Sequence, residues 1–293
     1  MKVLLFGSSG FIGGHVRAAL TADPRIGPVV CPGRDRYDLI DGDQAGLVRL
    51  LRQESPDAVV SCVGRLTGTD VELIRGNTLV TAKLLDAVGT AAPAARLVRL
   101  GSAGEYGAVP HGRSVAEDDR TEPVGAYGVS HLAGTGLAEL SGVDAVSLRV
   151  FNPIGAGLSE ENLLGRAARR LREAVATGAG ELTMGPLHAY RDFVDVHDVA
   201  ALVRSVVLAP TLRHRVFNAG SGRAVTAREA VELLAARAGF TGTIRTAGVG
   251  PARSAAVDWI RADIGRARAE LGWTPVHDLA ASIKDIWEGG VRG

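Results

Sequence analysis

Short apolar runs alternate with amphipathic segments along the first half of the chain. The apolar runs predict strands at residues 3–6, 28–31, 57–62, 96–100 and 145–151. Segments with a helical spacing of apolar positions predict helices at residues 11–20, 44–52, 77–88 and 129–140. Strands that are apolar at consecutive positions are buried on both faces, which is typical of a parallel sheet covered by helices. The alternation therefore predicts an α/β fold with a doubly wound parallel sheet.

The pattern changes after Phe151. Residues 156–190 predict an arginine-rich helix and a short strand, followed by a strand at 193–196 and a helix at 199–208. From about residue 216 the chain predicts a small mixed α/β lobe that closes with an apolar segment at 283–287. We therefore expect one domain over residues 1–155, joined by about 192–210, and a smaller C-terminal lobe over 156–191 and 211–293.

The composition is that of an ordinary globular protein. Hydrophobic residues make up 46% and charged residues 22%, and 33 basic residues against 32 acidic ones leave a formal net charge of +1. Nucleic-acid and polybasic membrane surfaces need clustered positive charge, so we expect neither kind of partner. No stretch has the roughly 18 consecutive apolar residues of a membrane-spanning helix, and the run after Lys2 is too short for a signal peptide. We expect a soluble, cytoplasmic enzyme.

Neither a disulfide framework nor a metal site is indicated. The two cysteines, Cys31 and Cys62, are too few for such a framework, and no cysteine or histidine–carboxylate cluster has metal-ligand spacing. Lysine occurs only at Lys2, Lys83 and Lys284, so arginine supplies all the other basic side chains.

The connection between the first predicted strand and the first predicted helix is rich in glycine. It reads Gly7-Ser8-Ser9-Gly10-Phe11-Ile12-Gly13. Gly7 permits a tight turn, Gly10 lets a pyrophosphate approach the backbone, and Gly13 lets the helix pack close to the sheet. The N–H groups at the start of the helix attract the anion. The segment predicts a dinucleotide site, and the alternative is a glycine-rich connection without a ligand.

The G-x-x-G-x-x-G spacing resembles the short-chain dehydrogenase/reductase superfamily. The length and the C-terminal lobe resemble its extended branch, which contains nucleotide-sugar epimerases, dehydratases and reductases. The resemblance implies a Rossmann-type dinucleotide-binding domain at 1–155 and a substrate-binding lobe at 156–191 and 211–293. It also implies cofactor contacts from Asp38, Leu39, Cys62, Val63 and Gly64.

The resemblance also bears on the choice between NAD and NADP. The second predicted strand is followed by Arg34, where an NAD-preferring member usually carries an acidic residue. An arginine there can pair with the 2′-phosphate of NADP. We therefore favour NADP over NAD, and the alternative is that Arg34 is an ordinary exposed arginine.

Two further segments resemble the family's active-site elements. Ser102 lies at the end of a predicted strand, and Tyr127 opens the sequence Tyr127-Gly128-Val129-Ser130-His131. The resemblance implies that Tyr127 is the acid/base for a substrate hydroxyl or carbonyl and that Ser102 hydrogen-bonds the same oxygen. A phenol suits this role because it can hold or release one proton beside a hydride acceptor.

His131 departs from the family's Tyr-x-x-x-Lys pattern. In the family this lysine holds the nicotinamide ribose, and its charge lowers the pKa of the tyrosine. Histidine titrates near ~6.5, so we expect His131 to be mostly uncharged at neutral pH and to donate one hydrogen bond to the ribose. Loss of the charge should impair oxidation more than reduction, because oxidation needs a tyrosinate base. The alternative is that redox chemistry has been lost.

The C-terminal half contains more family-like segments. The resemblance implies cofactor contacts from Phe151, Asn152, Pro153 and Ile154, and places Asn162 and Leu163 where related enzymes touch the substrate diphosphate. It also implies that Arg191 and Arg253 form a diphosphate clamp, since guanidinium groups bind phosphate oxygens bidentately. For either arginine alone, a surface position or an ion pair is the simpler interpretation.

The patterns around Ser102 and Arg191 look most like NDP-sugar 4-ketoreductases such as GDP-4-keto-6-deoxymannose reductases. Dehydratases carry an acidic residue two positions after the serine, where this chain has Gly104, with Glu105 one residue later. We therefore expect an NAD(P)H-dependent reductase of a keto group on a nucleotide-activated sugar, and by analogy a homodimer. The alternatives are an NAD-dependent nucleotide-sugar epimerase and a non-redox catalyst or binding protein on the same fold.

Overall fold

The computed structural model of the protein describes residues 1–248 and 256–289. The strands in this part are β1 (Val3–Phe6), β2 (Val29–Val30), β3 (Ala58–Ser61), β4 (Arg96–Ser102), β5 (Ala145–Val150), β6 (Asn152–Ile154), β7 (Glu181–Met184), β8 (Tyr190–Arg191), β9 (Phe193–Asp195), β10 (Val216–Ala219), β11 (Val225–Thr226) and β12 (Thr243–Thr246). The α-helices are α1 (Phe11–Thr21), α2 (Gln44–Glu54), α3 (Asp70–Leu73), α4 (Val80–Ala91), α5 (Ala126–Leu140), α6 (Leu163–Thr177), α7 (Val196–Leu208), α8 (Ala227–Arg237), α9 (Gly265–Leu271) and α10 (Leu279–Glu288).

Six strands form the central sheet in the order β2-β1-β3-β4-β5-β10, and every neighbouring pair is parallel. The strand order reverses at β1, which lies between β2 and β3. In doubly wound sheets, ligands bind outside the carboxyl ends of the strands at this switch point. The α/β fold and doubly wound parallel sheet predicted from the apolar runs are confirmed.

The continuous apolar strands arise because both faces of the sheet are covered. Along β1, Val3 and Leu5 pack into the core beneath α1 and α7, whereas Leu4 and Phe6 pack into the core beneath α2 and α4. All four side chains are buried, and each contributes about 2 kcal/mol by leaving water. Within the described ranges, no helix has the length and apolar character needed to cross a bilayer.

The C-terminal lobe has its own core. Leu171 on α6, Leu234 on α8 and Ile286 on α10 pack together in it. The prediction that residues 211–293 belong to this lobe is wrong for Val216–Ala219, because this strand aligns with residues 147–150 of β5 as the sixth strand of the central sheet. The local apolar pattern identified a strand there but carries no information about its distant partner.

The helix predicted at 77–88 is the second part of a longer helical segment. This segment starts at Asp70, where Thr69 and Glu72 form a capping box with reciprocal side-chain hydrogen bonds to the backbone. A π-helical turn, Ile74–Leu79, then joins α3 to α4. The turn matters for the site because it carries Asn77, which faces the loop after β3.

Candidate active site

The start of α1 is built to receive an anion. Gly7 has a φ of 79°, a left-handed conformation that favours glycine. A Cβ at Gly13 would lie 2.0 Å from the carbonyl oxygen of Gly7, so only glycine allows the helix to approach the turn this closely. Gly10 is the N-cap residue, and no side chain caps the helix. The N–H groups of the first turn therefore remain available to a pyrophosphate.

A cleft of about 540 Å³ opens at the carboxyl ends of the central strands and extends to the start of α6. Most of the predicted site residues line it, namely Gly10, Phe11, Ile12, Gly13, Cys62, Val63, Gly64, Ser102, Tyr127, His131, Phe151, Asn152, Pro153, Ile154, Asn162, Leu163 and Arg191. Six predicted cofactor residues lie outside this lining, namely Gly7, Ser8, Ser9, Arg34, Asp38 and Leu39. One cleft thus brings together residues predicted for catalysis, cofactor binding and substrate binding.

The loop after β2 is held in shape from within the protein. The Asp38 carboxylate accepts hydrogen bonds from the backbone N–H groups of Asp41 and Ile40, which lower the pKa of Asp38. Lys83 Nζ, on α4, donates to three carbonyl oxygens of the same loop, including that of Leu39 at 3.0 Å. The backbone at Asp38 and Leu39, the two predicted cofactor contacts in this loop, is therefore anchored.

Arginines at the end of β2 differ in their partners. Arg36 forms an ion pair with Glu54. Arg34 is exposed and forms no ion pair with any residue in the described ranges. Of these two guanidinium groups, Arg34 is the one available to a phosphate.

Two glycines bring Ser102 and Tyr127 to the same space. A Cβ at Gly104 would lie 3.3 Å from both Ser102 Oγ and the Tyr127 ring. A Cβ at Gly128 would lie 2.3 Å from the carbonyl oxygen of Gly104, so α5 can pack on the 3₁₀ turn after β4 (Ala103–Glu105) only without a side chain there. The glycine that follows Tyr127 thus positions its phenol beside Ser102.

His131 lies one turn after Tyr127 on α5, with ring centroids 4.7 Å apart. The imidazole is buried, and its Nδ1 lies 3.5 Å from a terminal nitrogen of Arg99. Burial, reinforced by the Arg99 guanidinium, lowers the pKa of His131 to about 3. His131 is therefore neutral at physiological pH.

Glu105 supports Ser102 from behind the cleft. One carboxylate oxygen accepts a 3.0 Å hydrogen bond from the backbone N–H of Ser102, and the other accepts a 2.8 Å hydrogen bond from Arg149 Nε. Arg149 also donates to the hydroxyl of Tyr106, which in turn donates to Asn218. Glu105 is fully buried in this network and does not line the cleft.

The far end of the cleft lies at the start of α6. Asn162 is the N-cap residue of this helix, and its side chain makes no capping hydrogen bond. Arg191 lines the same cleft on β8, next to Asp192, which is buried and accepts hydrogen bonds from the backbone N–H and hydroxyl of Ser221. Arg253, the other predicted clamp residue, lies outside the described residues.

Comparison with known proteins places the chain in a family. Residues 3–220 match the model of the NAD dependent epimerase/dehydratase family. The chain belongs to this family. The family resemblance inferred from the glycine-rich turn and from the motifs at Ser102 and Tyr127 is thereby confirmed.

Two relatives in the family carry the names of enzymes that act on nucleotide sugars. The chain is 37% identical over 303 residues to a dTDP-6-deoxy-L-talose 4-dehydrogenase (NAD(P)(+)) of Kitasatospora kifunensis, with 98% of this chain and 94% of that protein covered. It is 30% identical over 308 residues to a GDP-6-deoxy-D-mannose reductase of Pseudomonas aeruginosa, with 99% and 98% covered. A solved structure of RMD from Pseudomonas aeruginosa complexed with NADPH matches with a TM-score of 0.84 and 27% identity over 98% of each chain.

The family motifs gave no indication of Asn77, which connects two walls of the site. Asn77 Oδ1 accepts a 2.7 Å hydrogen bond from the backbone N–H of Arg65, and its amide group donates to the Ser130 hydroxyl on α5 at 2.9 Å. The loop after β3 is thus tied to the helix that carries Tyr127. The Thr69–Glu72 capping box was the available sequence signal for this helical segment.

Three potential metal-ligand atoms come together away from the cleft, although the sequence indicated no such cluster. Donor atoms of Asp195, His197 and His277 lie within 4.8 Å of one another. Asp195 Oδ1 already accepts a hydrogen bond from the backbone N–H of His197 as the cap of α7, and Oδ2 accepts one from Ser282 Oγ. With these contacts Asp195 serves as a helix cap, so we assign no metal to the cluster.

Proposed function

We propose that the protein is an NAD(P)H-dependent reductase of a keto group on a nucleotide-activated sugar. The observation that carries this proposal is that Ser102, Tyr127 and His131 line the same cleft as the uncapped start of α1. A proton donor and a dinucleotide site therefore face one space at the switch point of the sheet.

The chain's own groups suit the reductive direction. Tyr127 starts as a neutral phenol and donates its proton to the carbonyl oxygen as that oxygen becomes a hydroxyl. Ser102 Oγ accepts a 3.0 Å hydrogen bond from the N–H of Gly104, so its own hydrogen remains to be donated to the same carbonyl oxygen. Neutral His131 would donate one hydrogen bond to the ribose of a bound cofactor.

The residues of the described site fit a dinucleotide. The first turn of α1 would hold the pyrophosphate, and Cys62, Val63, Gly64 and Phe151–Ile154 would line its nicotinamide half. The bound nicotinamide supplies the hydride. Asp38 and Leu39 would contact the adenosine from the loop that Lys83 anchors.

We further propose that NADPH is preferred over NADH. Arg34 is exposed and free of described ion pairs at the end of β2, where a 2′-phosphate would lie. One relative is named for NAD(P)(+), and the matching solved structure contains NADPH. These observations agree with an arginine that pairs with the additional phosphate.

A nucleotide diphosphate fits the far end of the cleft. The first turn of α6, which begins at Leu163 after the N-cap residue Asn162, offers backbone N–H groups, and Arg191 offers a guanidinium from β8 in the same cleft. Arg253 remains a proposed second arginine of this clamp. The two relatives reported above are named for dTDP- and GDP-linked sugars, which agrees with this substrate class.

We also propose a homodimer in the cytoplasm. Leu79 is 49% exposed at the start of α4, and Val129 and Leu137 are 46% and 39% exposed on α5, which packs against the same helical segment. A second copy that covered these two helices would bury this apolar surface. Sedimentation of the parent and of Leu137→Glu tests this assignment, since the substitution should shift the protein to a monomer.

In the central experiment, purified protein is mixed with NADPH and an NDP-4-keto-6-deoxy sugar, and the loss of reduced-nicotinamide absorbance is followed. We expect turnover by the parent, and a loss of about 10²–10⁴-fold in Tyr127→Phe with NADPH affinity retained. Unchanged turnover in Tyr127→Phe would refute the assignment of the proton donor. Epimer formation with retained NAD and no net oxidation would favour the epimerase, and absence of nicotinamide binding would favour a non-redox protein.

A further inference from the structure

Arg99 is a buried arginine directly behind the proposed catalytic pair. It lies on β4 and is 3% exposed. Its Nε donates to Thr81 Oγ1 at 3.1 Å, and one terminal nitrogen donates to Thr135 Oγ1 at 2.9 Å and to Ser147 Oγ at 3.2 Å. The other terminal nitrogen lies 3.5 Å from His131 Nδ1. Three neutral hydroxyls and one imidazole therefore surround the guanidinium.

Among the residues that the structure describes, none forms an ion pair with Arg99. Within residues 1–248 and 256–289, no carboxylate oxygen lies within 4.0 Å of its guanidinium nitrogens, whereas buried Arg149 pairs with Glu105 at 2.8 Å and buried Arg96 pairs with Asp144 at 2.9 Å. A buried charge without an ionic partner costs several kcal/mol, and removal of the proton does not relieve that cost for arginine. The fold thus keeps a positive charge without a direct ion pair beside the cleft, as far as the described residues show.

The packing around Arg99 leaves room for this guanidinium. A Cβ at Gly134 would lie 2.8 Å from a terminal nitrogen of Arg99 and 3.0 Å from its Cζ. Gly134 follows His131 by three residues on α5, so the same helix that carries the imidazole leaves a space for the guanidinium. The position of the charge is therefore part of how α5 packs on the sheet.

The guanidinium determines which nitrogen of His131 carries the proton. An arginine donates hydrogen bonds and cannot accept them, so Nδ1 facing Arg99 must present its lone pair. The proton of the neutral ring then lies on Nε2. Nε2–H is the donor that the proposed ribose contact of His131 requires.

Arg99 interacts electrostatically with Tyr127 as well as with two other charged groups, Glu105 and Arg149. In the described part of the chain, Arg99 comes from β4, Arg149 from β5, and Glu105 from the turn after β4. The direct ion pair of Glu105 is with Arg149, and in the described part of the chain no carboxylate makes a direct ion pair with Arg99. Burial lowers the pKa of Arg99, attraction from Glu105 raises it, and repulsion from Arg149 lowers it. Electrostatic attraction from Tyr127 also raises the pKa of Arg99, and this interaction acts equally on both groups.

We propose that Arg99 is the positioning residue of this site, holding His131 as an Nε2–H donor and stabilising the tyrosinate form of Tyr127 with its charge. This inference rests on the proposed role of Tyr127 as proton donor. It explains how a reductase can function with a neutral histidine at position 131, because the positive charge comes from the adjacent strand.

The first test measures the charge on Tyr127 without turnover. Tyrosinate absorbance is titrated against pH in the parent and in Tyr127→Phe, and the difference between the curves isolates Tyr127 from Tyr37, Tyr106 and Tyr190. The same pair of curves is recorded in an Arg99→Met background. We expect the pKa of Tyr127 to rise by about one unit in Arg99→Met and to stay near the parent value in Arg99→Lys. An unchanged value in Arg99→Met would overturn the proposal.

This titration also separates the two proposals. If Tyr127→Phe retains turnover, the assignment of Tyr127 as proton donor fails, whereas the titration still reports whether Arg99 acts on the phenol. Arg99→Gln removes the charge while keeping polar contacts with the surrounding hydroxyls. It replaces Arg99→Met in the same comparison if that variant does not fold.

The second test moves the charge. His131→Lys alone would place an ammonium beside the Arg99 guanidinium, so we expect lower stability and no gain in turnover. Arg99→Met/His131→Lys carries one positive charge, and we expect it to recover at least tenfold in kcat over Arg99→Met. The alkaline limb of the pH–rate profile of this double variant should return to the pH at which it lies in the parent. A double variant that recovers neither kcat nor the pH–rate limb would contradict the proposal.

Discussion

Glu105 and Arg149 form an ion pair that is almost completely excluded from solvent, with a carboxylate oxygen 2.8 Å from Arg149 Nε. Because Glu105 also accepts the backbone N–H of Ser102, this pair connects the stability of the sheet to the position of the serine. Removal of one partner from a buried pair leaves the other charge without compensation.

We therefore expect Glu105→Gln to lower both the free energy of unfolding and kcat. The loss in stability should be about 3 kcal/mol, measured by urea unfolding. Glu173→Gln is the matched control, because Glu173 pairs with Arg169 at the surface and should leave both quantities close to the parent values. Parent-like stability in Glu105→Gln would show that the pair does not support this part of the fold.

Adjacent glycines in α1 should respond in opposite ways to the same substitution. In Gly13→Ala the new Cβ would lie 2.0 Å from the backbone of Gly7, so we expect a loss of about 2–3 kcal/mol in stability and weaker NADPH binding. In Gly14→Ala the nearest atom, the carbonyl oxygen of Ser8, is 3.7 Å away. That variant should gain up to about 1 kcal/mol from helix propensity.

Thermal unfolding and fluorescence titration with NADPH measure both effects. Equal responses of the two variants would mean that the close approach of α1 to the turn does not limit the site.

His131 should make the protein less stable in acid. Burial, reinforced by Arg99, lowers the pKa of His131 to about 3, while the unfolded chain titrates near ~6.5. Between these values the unfolded state binds more protons, so the contribution to stability is full above the unfolded pKa and falls as the pH decreases. From pH ~7 to pH ~5 the folded state should lose about 2 kcal/mol through this residue.

Urea unfolding of the parent and of His131→Gln at both pH values tests this prediction. The loss of stability between the two pH values should be smaller in His131→Gln by the contribution of the imidazole. His188→Gln, at an exposed histidine, should keep the full pH dependence. An equal pH dependence in the parent and His131→Gln would mean that position 131 does not titrate as a buried neutral imidazole.

The two arginines after β2 offer a test of cofactor choice. We expect Arg34→Ala to raise the KM for NADPH about tenfold, the equivalent of one hydrogen bond to a charged group, and to leave the KM for NADH unchanged. Arg36→Ala should leave the NADPH/NADH ratio at the parent value, because Arg36 is paired with Glu54. If both variants change the ratio equally, the preference comes from general charge and not from a phosphate contact.

Local sequence patterns were enough to predict the elements that carry the site. The apolar run of Val3–Phe6 identifies a buried strand because a parallel sheet is covered on both faces. Once the strands are parallel, their carboxyl ends share one edge. Gly13, Tyr127 and His131 are therefore brought to one cleft although they are far apart in the chain.

The features that were missed depend on non-local contacts. Arg99 follows Leu97 and Val98 on β4, and nothing in its sequence neighbourhood shows that Thr81, Thr135 and Ser147 converge on it from three other elements. The local sequence also does not show which strand Val216–Ala219 pairs with, because its partner β5 lies far upstream in the chain. A local pattern reports the burial of a side chain but not the identity of the group that it meets.

The edge strand β10 lies far from its partner β5 along the chain. The two halves of this protein are therefore interleaved and not joined end to end. A fragment that ended at residue 155 would lack Val216–Ala219 and expose the backbone donors and acceptors of β5, an edge that invites pairing with other chains. During synthesis the sheet stays incomplete until the segment that forms α6 and α7 has been made. Any chimera that exchanges substrate lobes must therefore keep residues 216–219 with the sheet and not with the lobe.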